Sequence, residues 1–185
     1  MAKPVDKKKP VAAPKEKKPS KSKDMRGNWV FENYKNEAIV VVKEDCSFRT
    51  AVNIFDCVDC TFTFEGKIKG LMMEKCKKSM LIVHEVVAPV EVINCDTVKV
   101  QGIKQLNHVS VENSIEIRVI LTNATRACCV QTTCARNVMI KFPKEGKDDM
   151  SQENEDWATM VIPEAFETKV EGDIIKTAAA DIGEC

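Results

Sequence analysis

Cysteine recurs in this chain at a fixed step. Cys57, Cys76 and Cys95 lie 19 residues apart, Ser114 takes the next position at that spacing, and Cys134 follows one residue late. A second column, Cys60, Ser79, Val98 and Ile117, keeps the same step, and so does a third, Phe62, Leu81, Val100 and Val119. Two more run through Leu71, Val90, Val109 and Cys128 and through Met73, Val92, Val111 and Val130, with Val52 and Ile54 extending them back by one unit. Parallel columns at one spacing mark a repeat architecture.

Within a unit the apolar positions alternate, as in Cys60-Phe62-Phe64 and Leu71-Met73, which is the period of a strand. No stretch between Asn28 and Phe142 carries a long helical pattern. A 19-residue unit of two or three short strands cannot bury its apolar side chains alone, so units must stack on one another. Coils rising by one strand spacing, about 4.8 Å, place residues one repeat apart directly above each other. The columns therefore predict a parallel β-helix. The leucine frame and helical half-repeat of a leucine-rich repeat are missing.

Charge divides the chain into three. Residues 1–24 hold nine lysines against three acids, a net +6; residues 25–143 come to +2 and residues 144–185 to −8. The first segment has four prolines and no aromatic residue, the composition of an extended, disordered tail. This gives a tail over 1–24 and a folded domain over 25–185. No apolar run has the length of a membrane span or the form of a signal peptide, which points to a cytoplasmic protein. Lysine and proline without arginine, glycine or aromatic residues attract nucleic acid only by nonspecific charge, and the body is not basic, so nucleic acid is not the expected partner.

Nine cysteines in such a chain read as reduced thiols, and those on inward columns as small core residues. Cys57-x-x-Cys60 has the spacing of a redox pair or half a zinc site, with Cys128, Cys129, Cys134, His84 and His108 as further ligands. Against this, the two cysteines belong to separate columns and no second Cys-x-x-Cys closes a tetrahedral site. No phosphate loop, dinucleotide fingerprint or nucleophile motif is present, so neither an enzyme nor a cofactor is expected. The run Glu65-Gly66-Lys67-Ile68-Lys69-Gly70 reads as a coil corner.

The positions alternating away from the core after each cysteine column are Thr61 and Thr63, Met80 and Ile82, Lys99 and Gln101, and Arg118 and Ile120. Stacked, they form one flat face that mixes exposed aliphatics with basic groups, the composition of a protein-binding patch. The competing reading has the C-terminal segment covering this face.

Five blocks carry a family resemblance: Trp29-Val30-Phe31-Glu32-Asn33, Gly66-Lys67-Ile68-Lys69, Cys76-Lys77-Lys78, Val92-Ile93-Asn94 with Val98-Lys99-Val100-Gln101, and Ile162-Pro163-Glu164-Ala165-Phe166. In order and approximate spacing the chain resembles the C-terminal domain of cyclase-associated proteins. The resemblance implies a right-handed parallel β-helix that binds monomeric actin and promotes exchange of ADP for ATP on it, without being an enzyme. It also implies a homodimer formed by exchange of a C-terminal β-hairpin, here around Met160 to Thr177, with Met160, Val161, Ile162, Pro163, Phe166, Val170, Ile174 and Ile175 at the contact. Lys99 and Gln101 would lie at the centre of the actin contact, flanked by Met80, Ile82, Arg118 and Ile120. Lys67, Lys69, Lys77 and Lys78 are secondary candidates, since actin is acidic. The helical N-terminal domain, polyproline runs and WASP-homology motif of full-length relatives are not recognisable, so a stand-alone C-terminal domain is expected. The alternatives are a cysteine-rich metal or redox protein and a passive β-helix scaffold or actin-sequestering protein.

Overall fold

The computed structural model describes residues 17–147, 149, 156–172 and 174–180. Two seven-stranded sheets face each other, and the chain passes from one to the other in every coil. The first sheet stacks β2 (Trp29–Glu32), β4 (Val52–Phe55), β6 (Leu71–Glu74), β8 (Val90–Ile93), β10 (His108–Glu112) and β12 (Cys129–Thr133) in parallel. The second stacks β3 (Ala38–Val41), β5 (Thr61–Ile68), β7 (Met80–Val86), β9 (Asp96–Gln105), β11 (Ile115–Ile120) and β13 (Met139–Pro143). This is the parallel β-helix that the columns predict, with about six coils.

Each end is closed by an antiparallel strand. At the start β1 (Ser20–Lys23) pairs with β2, and at the other end β14 (Trp157–Val161) pairs with β13. Ser20–Lys23, within the expected tail over residues 1–24, joins the first sheet. Lys21 and Lys23 lay their ammonium groups 4.6 and 4.3 Å from the centre of the Trp29 ring, which covers the open end of the core while the charges stay at its edge. Residues 1–16 lie outside the described residues.

Side chains at alternate strand positions fill the space between the sheets. Phe31, Ile54, Met73, Val92 and Val111 follow one another in register on the first sheet, opposite Phe62, Leu81, Val100 and Val119 on the second, all buried. Removing each such side chain from water contributes about 1.5–3 kcal/mol. The Phe31 and Phe62 rings meet edge to face at 5.7 Å.

The corner between the two sheets explains the cysteines. Each coil turns there on two left-handed residues three apart, Asp56 and Asp59 in one coil and Asn94 and Thr97 in another, with φ between 52° and 56°. Side chains of the residues after them point inward. The Cys57, Cys76 and Cys95 thiols donate to the carbonyls of Phe55, Glu74 and Ile93 at 3.2, 3.5 and 3.3 Å, and the Ser114 hydroxyl does the same to Glu112 at 2.7 Å. A short side chain with one donor suits this column, because it fits beneath the next coil and adds a second hydrogen bond to a carbonyl that already accepts a backbone N–H from the preceding coil, as Phe55 does from Asn33 at 3.1 Å.

The repeat is uneven, and this corrects three sequence assignments. The step is 23 residues from Trp29 to Val52, 19 through the middle, and 21 from Val109 to Val130. The additional residues fall in stretches that hold 3-10 turns, Lys43–Asp45 and Asn123–Thr125. Val130 therefore pairs with Val109 rather than extending the Val111 column, Cys128 precedes the strand, and Ala135 instead of Cys134 takes the slot after Ser114. Cys134 occupies a left-handed corner at φ 50° and is exposed. The run from Glu65 to Gly70 is a corner only at its end, since Glu65–Ile68 continues β5 past an irregularity between Phe64 and Lys67. A Cβ at Gly66 would lie 2.5 Å from the Cβ of Cys46, so glycine there admits the 43–46 loop.

A third sheet is the hairpin of β15 (Phe166–Glu171) and β16 (Ile174–Ala179), which among the described residues pairs only within itself. It begins later than the expected Met160, because Met160 and Val161 belong to β14.

Candidate interaction face

The outward side chains of the second sheet stand in two columns. Register places Thr61, Met80, Lys99, Arg118 and Met139 in one, and Thr63, Ile82, Gln101, Ile120 and Lys141 in the other. All six residues expected at the centre of a contact, Met80, Ile82, Lys99, Gln101, Arg118 and Ile120, are therefore neighbours. Lys99 is exposed and the other five are half-buried. Met139 and Lys141 extend the face by a row that the sequence reading missed, since a strict 19-residue step mispositions everything after Ile120.

The four secondary lysines lie outside these two columns, with Lys67 outward on the same sheet. Lys77 and Lys78 belong to the corner that leads into β7, where Lys78 is left-handed. Lys67 lies at the far end of β5, within 3.8 Å of Glu85 and 3.4 Å of the Gln105 side-chain oxygen, and Lys69 is in the turn that follows.

One end of the face is hollowed into a cleft of about 170 Å³ lined by Met80, Lys99, Gln101, Ile120, Thr122, Lys141, Asp149 and Trp157. Trp157 starts β14 opposite Pro143, is only 7% exposed, and stands 5.5 Å from the Lys141 ammonium. The chain reaches the cleft because Asn123 donates its backbone N–H to Asp149 at 2.8 Å and its side-chain amide to the Lys147 carbonyl at 2.9 Å. A Lys147–Asp156 pair at 2.6 Å ties the same stretch to the start of β14. Among the described residues, Asp149 and Trp157 of the C-terminal segment thus border the face at this end. Three bases, Lys99, Arg118 and Lys141, stand here with Asp149 in the cleft and Glu116 beside Lys99 and Arg118, and Met80, Ile82 and Ile120 give the area apolar ground. Trp157 had no sequence signal beyond being a tryptophan after an acidic stretch.

The eight residues expected at a dimer contact fall into three groups. Met160 and Val161 are exposed on β14. Ile162 packs against the core and donates its N–H to the Val138 carbonyl at 2.8 Å, with Pro163 beside it. Phe166, Val170, Ile174 and Ile175 stand on the hairpin at 60, 74, 59 and 72% exposure. Glu164 anchors the approach to the hairpin, since its carboxylate accepts the N–H of Asn137, the left-handed corner residue of the last coil. In earlier coils that N–H meets the next coil's carbonyl, as from Asn36 to Val58.

Desolvation pushes the Cys60 thiol up, whereas hydrogen bonds shared along the column raise Cys76 strongly and lower its partners Cys57 and Cys95. Among the described residues no three histidine, cysteine, aspartate or glutamate side chains gather as a metal site would require. None of their helices is long and apolar enough to cross a membrane.

Residues 17–182 match the family described as "Adenylate cyclase associated (CAP) C terminal", and the chain belongs to that family. It is 28% identical over 180 residues to adenylyl cyclase-associated protein 1 of Bos taurus, covering 97% of this chain and 34% of the relative. Over 154 residues it is 24% identical to the adenylyl cyclase-associated protein of Dictyostelium discoideum, covering 83% of this chain and 32% of that one. The chain thus spans about a third of the length of these relatives. The fold is that of the cyclase-associated protein from Cryptosporidium parvum, with a TM-score of 0.77 at 20% identity over 89% of this chain and 96% of that structure.

Proposed function

We propose that this chain binds monomeric actin through the outer face of the second sheet and promotes exchange of ADP for ATP on the bound actin. The observation that carries the reading is the pair of columns holding Met80, Ile82, Lys99, Gln101, Arg118 and Ile120, a flat basic and apolar face with a cleft at one end. Apolar groups supply burial in a protein contact, and the bases orient an acidic partner. The role is one of binding, without bond-making. Exchange is accelerated by binding the form of actin with an open nucleotide cleft more tightly than the closed form, since only differential affinity shifts such an equilibrium. The setting is the actin cytoskeleton of the cytoplasm, where the effect is to return monomers to the ATP state.

The active species is a homodimer in which each copy's hairpin covers the last coil of its partner. Support comes from the hairpin, which exposes Phe166, Val170, Ile174 and Ile175 and pairs with no other strand among the described residues. A two-fold exchange would cover these residues and close the assembly.

Release of a fluorescent nucleotide from monomeric actin, followed with and without the protein, tests the reading. Acceleration that grows with protein concentration is expected. Tight binding with unchanged or slowed release would assign the face to sequestration, and no binding would remove actin as the partner.

A further inference from the structure

The outer face of the first sheet has a different chemistry. The strands β2, β4, β6, β8 and β10 contain neither lysine nor arginine, although Lys75, in the corner after β6, pairs with Glu74 at 3.0 Å. Their outward positions include Glu32, Glu74, Glu91 and Glu112. Register sets Glu32, Phe55, Glu74, Ile93 and Glu112 in a single column, so acidic and apolar groups alternate along the stack. Carboxylates in the column are two strand spacings apart, roughly 10 Å.

The lysine-rich end of the chain enters at the border of this face. Ser20 on β1 donates its hydroxyl to Glu32 at 3.1 Å. The Lys18 carbonyl accepts from the Asn33 side chain at 3.5 Å, and Lys17 reaches Asp56 at 3.7 Å. From Ser20 back to Lys17 the contacts move from the first coil to the second, in the direction of Glu74 and Glu112.

We propose that this face is the docking surface of the chain's own N-terminal segment, residues 1–16. That segment carries Lys3, Lys7, Lys8, Lys9 and Lys15 against Asp6 and Glu16, with Pro10-Val11-Ala12-Ala13-Pro14 between two groups of lysines. Lysine meets the carboxylates, and the proline, valine and alanine stretch meets Phe55, Met72 and Ile93. Prolines lack an N–H and suit a segment that lies across side chains rather than along a strand edge. At about 3.1 Å per residue, 16 residues reach roughly 50 Å. The four strand steps from Glu32 to Glu112 span only about 19 Å. Docking there draws the lysines away from Lys99, Arg118 and Lys141 on the second sheet.

Carbodiimide cross-linking of the intact chain tests this, because it joins only an amine and a carboxylate in direct contact. Mapping by mass spectrometry should show Lys3, Lys7, Lys8, Lys9 or Lys15 joined to Glu74, Glu91 or Glu112, with the Lys17–Asp56 pair as internal reference. Mixing with isotope-labelled chain should leave these products single-mass, and 0.5 M salt should lower their yield at least about fivefold, since exposed pairs are screened. Cross-links that go instead to acids of residues 144–185, products of mixed mass, yields indifferent to salt, or a reference cross-link with no other lysine joined to the face would each overturn the proposal.

Discussion

The Ser114 hydroxyl sits where the Cys95 backbone needs a partner. It accepts the Cys95 N–H at 3.0 Å while donating to the Glu112 carbonyl at 2.7 Å. Ser79 repeats the arrangement one column along, accepting from Cys60 N–H at 3.2 Å and donating to Lys77 at 2.8 Å. Ser114→Ala removes acceptor and donor together from a buried corner, at about 1–3 kcal/mol. Ser114→Cys keeps a donor and should lose less. Urea unfolding of the two variants orders them, and equal stabilities would show that the corner hydrogen bonds contribute little.

Val100 is buried between Leu81 and Val119 in the centre of the second sheet. Val100→Asp places a carboxylate there with no cation in reach, a penalty of several kcal/mol and on the order of a small domain's stability. The variant should be insoluble or unfolded by circular dichroism. A soluble variant with unchanged thermal unfolding would contradict the assigned inward face.

Thiol reactivity should divide the cysteines by place. Cys129 and Cys134 are exposed and should react with a disulfide reagent at pH 8 without unfolding, whereas Cys57, Cys60, Cys76 and Cys95 are buried and should react only in denaturant. Burial pushes the Cys128 thiol up to about 11, so it stays protonated at pH 8 and reacts slowly until the pH approaches that value. Fast labelling of Cys76 in the native protein would refute the corner assignment.

For the face itself, Lys99→Ala with Gln101→Ala should leave folding within about 0.5 kcal/mol, because both side chains point outward. Truncation at the centre of a contact commonly costs at least about 1 kcal/mol, or about fivefold in affinity, and acceleration of nucleotide exchange should fall with it. Lys7→Ala with Lys8→Ala should change actin binding little at moderate salt. The reverse pattern would move the contact to the N-terminal segment.

Val170 and Ile175 are cross-strand partners in the hairpin. Val170→Lys with Ile175→Lys should leave the coils folded and, in the proposed dimer, yield monomer in sedimentation where the unsubstituted chain sediments as dimer. A dimer that persists would place the contact elsewhere, and a wild-type monomer would remove the exchange reading.

The columns of the sequence located most of the core because stacked coils put like residues on like, and the central coils share one step. The same regularity misled at Cys128, Val130 and Cys134, where two additional residues accompany the Asn123–Thr125 turn without altering the alternation on either side. The left-handed corners were not legible: asparagine, aspartate, lysine, threonine, glutamate and cysteine all occupy them, and the ladder around each turn fixes its φ rather than the side chain. The Met80 to Ile120 face was legible since it needs only the period of two. Its cleft was not, because it depends on how Asn123 holds Lys147 and Asp149 far along the chain.

A face assembled from coils is a ruler. Every turn of the chain adds one pair of outward residues and advances the surface by one strand spacing, about 4.8 Å. Length is therefore set by counting coils, while chemistry is set one row at a time. A 19-residue coil inserted between Thr61 and Met80 would displace Trp157 and its cleft by one graduation relative to Thr61 and leave each row intact. A partner that grips both would register that displacement as a misfit, even with every contacting side chain unchanged.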